Sequence, residues 1–242
     1  MSLFLNVPYA EKDEAKALGA RWNAKAKKWY TDAPREEYIR FAKWILRNTD
    51  DAIIATECIF IVEGQHPCWK CGKSTRVIGL GISKAVHIFD CKEGAQFELL
   101  ANYFDQGDEL HLAWTEYEEN VPPKLRKYLM ETYSVRTGYS NTLKRKCFAN
   151  HCDHCGALQG NWFLFDEPDS PLKLMAYDQE LIKQTDKLKI IRIPIADDLQ
   201  LNWDIRFSSI DYAYIKCAKN ENLVLSSNPE NECVSYEELY GL

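Results

Sequence analysis

Apolar and polar positions alternate in recognisable periods over the first 48 residues. Leu3-Phe4-Leu5-Asn6-Val7 is a short apolar run stopped by Pro8, which predicts a strand. From Glu11 to Leu18 the chain reads as a two-turn helix, with acids in its first turn and Gly19 at its C-terminal cap. Ala20-Arg21-Trp22 and Lys28-Trp29-Tyr30 are expected to form the arms of a hairpin joined by Asn23 through Lys27, since aromatic residues favour strands. Pro34 then opens a second helix. Glu36 and Glu37 lie in its first turn, Tyr38, Phe41, Ala42 and Ile45 keep helical spacing, and Arg47 falls in the last turn. The predicted order is β-α-β-β-α.

The polar stretch Asn48-Thr49-Asp50-Asp51 marks a boundary, giving a module over 1–48 and a body over 52–242. Ile53 to Val62 is apolar on both faces, the signature of a central strand. Arg76 to Ile82 and Ala85 to Phe89 read as two further strands turning near Ser83-Lys84, and Val121-Pro122-Pro123 starts a helix through Met130. Gly156 to Phe165 reads as a turn and a strand, Leu172 to Gln184 as a helical stretch, and Lys189 to Ile195 as a strong strand. The fold class expected is α+β, a small β-α-β-β-α module followed by a mixed α+β body. No apolar run approaches membrane-spanning length, and no internal repeat stands out beyond two cysteine knuckles.

Those knuckles are Cys68-Trp69-Lys70-Cys71 and Cys152-Asp153-His154-Cys155, each followed by a glycine. Two such pairs supply four soft ligands for one tetrahedral Zn²⁺. The gap between them is long for a compact ribbon, so a shared ion requires a subdomain inserted between the knuckles. Cys147, His151 and His154 lie close enough in sequence for one of them to replace a cysteine ligand. Cys58, Cys91, Cys217 and Cys233 read as ordinary buried or unpartnered thiols. A thioredoxin-like pair fits poorly, because each knuckle runs into Gly instead of opening a helix. The odd count of nine cysteines argues against a disulfide framework. With no charged leader and apolar core at the start of the chain, a reducing cytoplasm is the expected location.

Net charge is −6, but it is uneven: residues 1–48 carry ten Lys/Arg against six Asp/Glu, leaving twenty against thirty for the remainder. A basic module thus precedes an acidic body. Arg21, Lys25, Lys27 and Lys28 are interleaved with Trp22, Trp29 and Tyr30. Cations for phosphates and flat rings for unstacked bases are the parts of a binder of single-stranded or forked nucleic acid. The same aromatics would equally serve as the core of a small module, and the lysines as solvation. Because neighbours on a strand point to opposite faces, one core cannot bury both Trp29 and Tyr30.

The segment Leu5 to Tyr30, with Glu11-Lys12-Asp13-Glu14-Ala15-Lys16, Leu18-Gly19-Ala20-Arg21-Trp22 and the ending Trp29-Tyr30, resembles a small domain of unknown function. That domain recurs in conjugative plasmid primases and other mobile-element proteins; here Asn23 replaces a more usual Asp. The resemblance covers about a fifth of the chain. The same helix, Gly, basic-aromatic strand and Trp also look like the DNA-binding HARP module of annealing helicases. The second knuckle, with Asn150, Gly156, Gln159 and Gly160, resembles uncharacterised bacterial zinc-ribbon proteins.

Catalytic signals are sparse. Glu63 and Asp90-Cys91-Lys92 at predicted strand ends could hold a divalent ion as in metal-dependent nucleases. His87, in an apolar strand, reads as a hydrogen-bonded core residue. There is no phosphate-binding Gly-rich loop, and Gly79-Leu80-Gly81 lacks the third glycine of a dinucleotide fingerprint. The leading expectation is a non-enzymatic nucleic-acid-binding accessory protein with a structural zinc site. A protein-interaction adaptor, whose N-terminal module docks a partner, is the alternative, and a nuclease comes after it.

Overall fold

The computed structural model describes residues 1–91, 94–99, 110–167, 170–172, 188–206, 218–228 and 230–242. It is a mixed α+β fold. In the N-terminal module, β1 (Leu3–Leu5), β2 (Arg21–Asn23) and β3 (Lys28–Thr31) form an antiparallel sheet with β3 in the middle. Helix α1 (Lys12–Ala17) precedes β2, and a 3-10 stretch Arg35–Phe41 leads into the short α2 (Ala42–Ile45). The second helix is therefore largely 3-10, which tightens the turn while still burying Tyr38, Phe41, Trp44 and Ile45.

The body is organised by one long hairpin, β4 (Asp51–Pro67) and β5 (Ser74–Cys91). Other strands cover both edges, and the elements packed on its two faces bury its apolar runs. On the far side of β5 come β6 (Gly94–Leu99) and β7 (His111–Trp114), the latter extended by β12 (Asp204–Arg206). On the far side of β4 lie β10 (Lys189–Pro194) and β11 (Leu199–Leu201), and β13 (Lys219–Asn222) pairs in parallel with β10. Helix α3 (Pro123–Thr132) starts at the expected prolines and feeds a separate two-stranded ribbon, β8 (Val135–Ser140) and β9 (Arg145–Asn150). Two short helices, α4 (Asn161–Phe165) and α5 (Tyr236–Tyr240), complete the described elements.

Several local expectations change. No turn forms at Ser83-Lys84: β5 runs through, and the irregularity sits on β4, where a bulge between Thr56 and Ile59 puts Glu57 at φ 64°. Asn161 to Phe165 is helical, with Leu164 and Phe165 buried against the sheet. Gly79 and Gly81 are packing residues; a Cβ on Gly81 would lie 2.7 Å from Leu110 Cδ1, and one on Gly79 would lie 3.0 Å from Phe165 Cε1. The helical stretch expected from Leu172 to Gln184 falls almost wholly outside the described residues.

The module packs directly on the body. Phe41, Trp44 and Ile45 share a core with Ala52, Ile54, Val86 and Ile88 of β4 and β5. Phe4 stacks on Tyr236 with ring centroids 4.0 Å apart, and Asn23 Nδ2 donates to Glu237 Oε1 at 2.7 Å. Asp198 is the pivot of this junction. Its fully buried carboxylate accepts from Arg35 Nε, Arg35 Nη2 and Tyr38 Oη, each at 2.9 Å, while its backbone N–H donates to Ser2 O. Burial first, then the carboxylate, pushes the Tyr38 hydroxyl far above its ordinary range.

Candidate metal centre and basic hairpin

Two backbone turns of the same design carry the four thiols. In the connection from β4 to β5, Cys68 N–H donates to Lys73 O at 2.9 Å and Gly72 N–H to Cys68 O at 2.8 Å. After β9 the pattern repeats: Cys152 N–H to Ala157 O at 2.8 Å, Gly156 N–H to Cys152 O at 2.9 Å. Gly72 and Gly156 stand at φ 70° and 68°, a conformation that side chains strain. In both turns the first thiol accepts a backbone N–H at 3.4 Å, from Lys70 to Cys68 Sγ and from His154 to Cys152 Sγ.

The knuckles face each other. All four sulfurs lie within 4.8 Å of one another, with Cys68 to Cys155 at 3.7 Å and Cys71 to Cys152 at 3.8 Å. A tetrahedral ion with metal–sulfur bonds of about 2.3 Å would hold its sulfurs about 3.8 Å apart, which the Cys68–Cys155 and Cys71–Cys152 distances match, so the donor set fits such an ion. Cys68 and Cys152 are buried, and Cys71 and Cys155 form the outer side. Burial opposes the Cys68 thiolate, but N–H groups of Cys71 and Lys70 and the thiols of Cys152 and Cys155 overcome it and hold the group down to about 6. On Cys155 the Ala157 N–H favours the thiolate, yet burial and the other three thiols push it up to about 11. Four thiols this close cannot all ionise without a cation among them.

Cys147, His151 and His154 stand outside the cluster. Cys147 is buried on β9, and burial raises its thiol. His151 is buried with Nδ1 3.0 Å from Ala149 O, and its ring fills the space a Cβ on Gly138 would need. His154 Nε2 lies 2.9 Å from Ser74 O, tying one knuckle to the strand after the other.

Asn150 is the residue whose role the sequence left unassigned. Its side-chain amide accepts from Ile78 N–H at 2.8 Å and donates to Ile78 O at 2.9 Å, pairing with buried backbone of β5 as a strand would. Gln159 Nε2 reaches Cys68 Sγ at 3.5 Å. The only advance signal was their place beside the knuckle. Asn150→Ala should cost about 1–3 kcal/mol for each orphaned Ile78 group, read from urea unfolding. An unchanged midpoint would remove Asn150 from this bracing role.

The basic hairpin divides its residues between two faces. Arg21 opposes Tyr30 and Asn23 opposes Lys28 in register, while Trp22 opposes Trp29. Tyr30 packs on the main core and Trp29 on the smaller core, so both rings are half-buried, each on a different core. The surface ring is Trp22, 52% exposed and edge-on to Trp29 at 5.7 Å. Lys28 Nζ donates to Asn6 Oδ1 and lies over the Tyr236 ring, and burial lowers its pKa. Arg21 pairs with Asp32 at 2.8 Å. Lys25 and Lys27 are left exposed in the turn.

The nuclease arrangement is not assembled. Glu63 sits opposite Ile78 and accepts from Tyr133 Oη at 3.0 Å, whereas Asp90 lies at the other end of β5, roughly 40 Å away at strand rise. Lys92 lies outside the described residues. His87 is hydrogen-bonded to Asp51 at 2.7 Å, but it is only partly buried and not the core residue expected. Among the described residues, no helix is long and apolar enough to cross a membrane.

Residues 2–45 match a domain of unknown function, DUF5710. The chain is 54% identical over 41 residues to one DNA primase TraC of Escherichia coli and 46% identical over 52 residues to another. These stretches are 17% and 22% of this chain but only 3% and 5% of those proteins, so the likeness joins one module to a small part of much longer relatives. No solved structure matches the chain.

Proposed function

We propose that this protein is a non-enzymatic nucleic-acid-binding accessory protein of mobile elements, with its body held together by one structural zinc ion. The observation that carries the binding reading is the hairpin, which presents exposed Lys25 and Lys27 in its turn and the exposed ring of Trp22 on its first arm, on a module similar to part of DNA primases. Phosphate contacts centre on those two lysines, with Arg21 contributing once it leaves Asp32. Lys28, Trp29 and Tyr30 position the turn from behind. Residues 1–48 act as a unit docked on the body. Zinc is favoured because four thiolates select Zn²⁺ or an iron–sulfur centre, and a closed set of four protein ligands leaves no position for a reacting water.

The test is retention of single-stranded, forked and duplex oligonucleotides across a salt series. Each lysine that neutralises a phosphate should contribute about 0.7 to the log–log salt slope on a single strand, so Lys25→Glu with Lys27→Glu should flatten it by roughly 1.4. Trp22→Ala should cost roughly 1–3 kcal/mol of binding with the fold intact. Wild-type protein that retains no nucleic acid even at low salt would leave the adaptor reading in its place.

A further inference from the structure

Beside the four-cysteine cluster, the β8–β9 turn, the first knuckle and α4 enclose a groove of about 710 Å³. Five large side chains line it while remaining exposed: Trp69 at 68%, Tyr139 at 57%, Trp162 at 56%, Phe163 at 48% and Leu143 at 46%. Apolar residues scattered singly need no explanation, but four aromatic rings around one cleft do. We propose that this groove is a second nucleic-acid site, which receives an unstacked base of a single strand.

The rings are held, not merely exposed. Trp69 Nε1–H donates to Leu158 O at 2.8 Å, so the indole of one knuckle is anchored on the backbone beyond the other. Trp162 and Phe163 meet edge to face, 5.2 Å apart at 84°. A platform fixed in advance spares the entropy of ordering side chains on binding.

The polar groups have the polarity of a nucleotide. Lys70 lines the groove and Lys144 follows Leu143 at its other end; both are exposed, and no acidic partner engages either among the described residues. The inner wall offers an acceptor instead, beside two carboxylates. Asn161 Nδ2 donates to Glu116 Oε1 at 3.3 Å, leaving Asn161 Oδ1 without a donor; the second Glu116 oxygen is taken up by Arg145, and Asp166 also lines the groove. Rim cations suit phosphate, and the inner acceptor suits the exocyclic amine of cytosine or adenine, which thymine lacks.

This inference rests on the nucleic-acid reading, and its test separates the two. Labelled short oligodeoxycytidine and oligothymidine are titrated by anisotropy into the full-length protein. Oligodeoxycytidine should bind more tightly, and Trp162→Ala or Tyr139→Ala should each weaken it about 5- to 150-fold, the effect of removing one stacking ring, at unchanged metal content. Tyr139, at the end of its ribbon, serves if the Trp162 variant fails to fold. If both variants bind like wild type while Lys25→Glu with Lys27→Glu abolishes binding, the groove is not a site and the hairpin reading stands. If wild type binds neither oligonucleotide at low salt, both fall.

Discussion

Stripping the metal with a chelator is expected to unfold the body, not loosen one loop. The thiols that meet are 81 and 87 residues apart along the chain, and the proposed ion would bind all four at once. In the unfolded chain the thiols are protonated and far apart, so metal affinity becomes folding free energy, about 10–16 kcal/mol in small zinc peptides near neutral pH. That matches or exceeds the 5–15 kcal/mol by which whole domains are stable. Cys68→Ser or Cys152→Ser, which remove buried ligands, should therefore lose metal and cooperative unfolding together. Cys233→Ser should change neither, because Cys233 is away from the cluster. Elemental analysis should give one zinc per chain, and either two ions or a metal-free chain with a sharp melt would refute a shared site.

Asp198→Ala should be the most damaging single change away from the cysteines. It would leave Arg35 and Tyr38 without their acceptor at a buried junction, and breaking a buried pair from one side costs about 3–5 kcal/mol. Arg40→Ala, removing an exposed pair with Glu37, is the control and should cost under about 1 kcal/mol. Beyond the lower melting temperature, Asp198→Ala should open the link at residues 48–51 to protease while the metal stays bound. A variant that melts like wild type would show the junction to be held by its apolar contacts alone.

The four-cysteine cluster was legible because its information is local: four cysteines, a fixed spacing and a glycine after each pair. The strands of the long hairpin were legible as apolar runs, although the continuity of β5 was not, since nothing in Ser83-Lys84 says that a bulge on β4 opposite would absorb the irregularity. Docking of the module left no local trace. Arg35 and Asp198 are 163 positions apart, and nothing near either residue announces the other. The expectation of one free ring at Trp29 or Tyr30 assumed a single core. The body supplies a second, and Trp22 takes the surface.

The hairpin of β4 and β5 carries one pair of thiols at its tip, while the module packs on Ala52, Ile54, Val86 and Ile88 near its base. The strands run from one to the other with no loop between. The two places proposed to bind a strand are therefore held at a fixed separation, so an oligonucleotide long enough to reach both gains effective concentration for its second contact once the first is made. Affinity should accordingly climb in a step with oligonucleotide length.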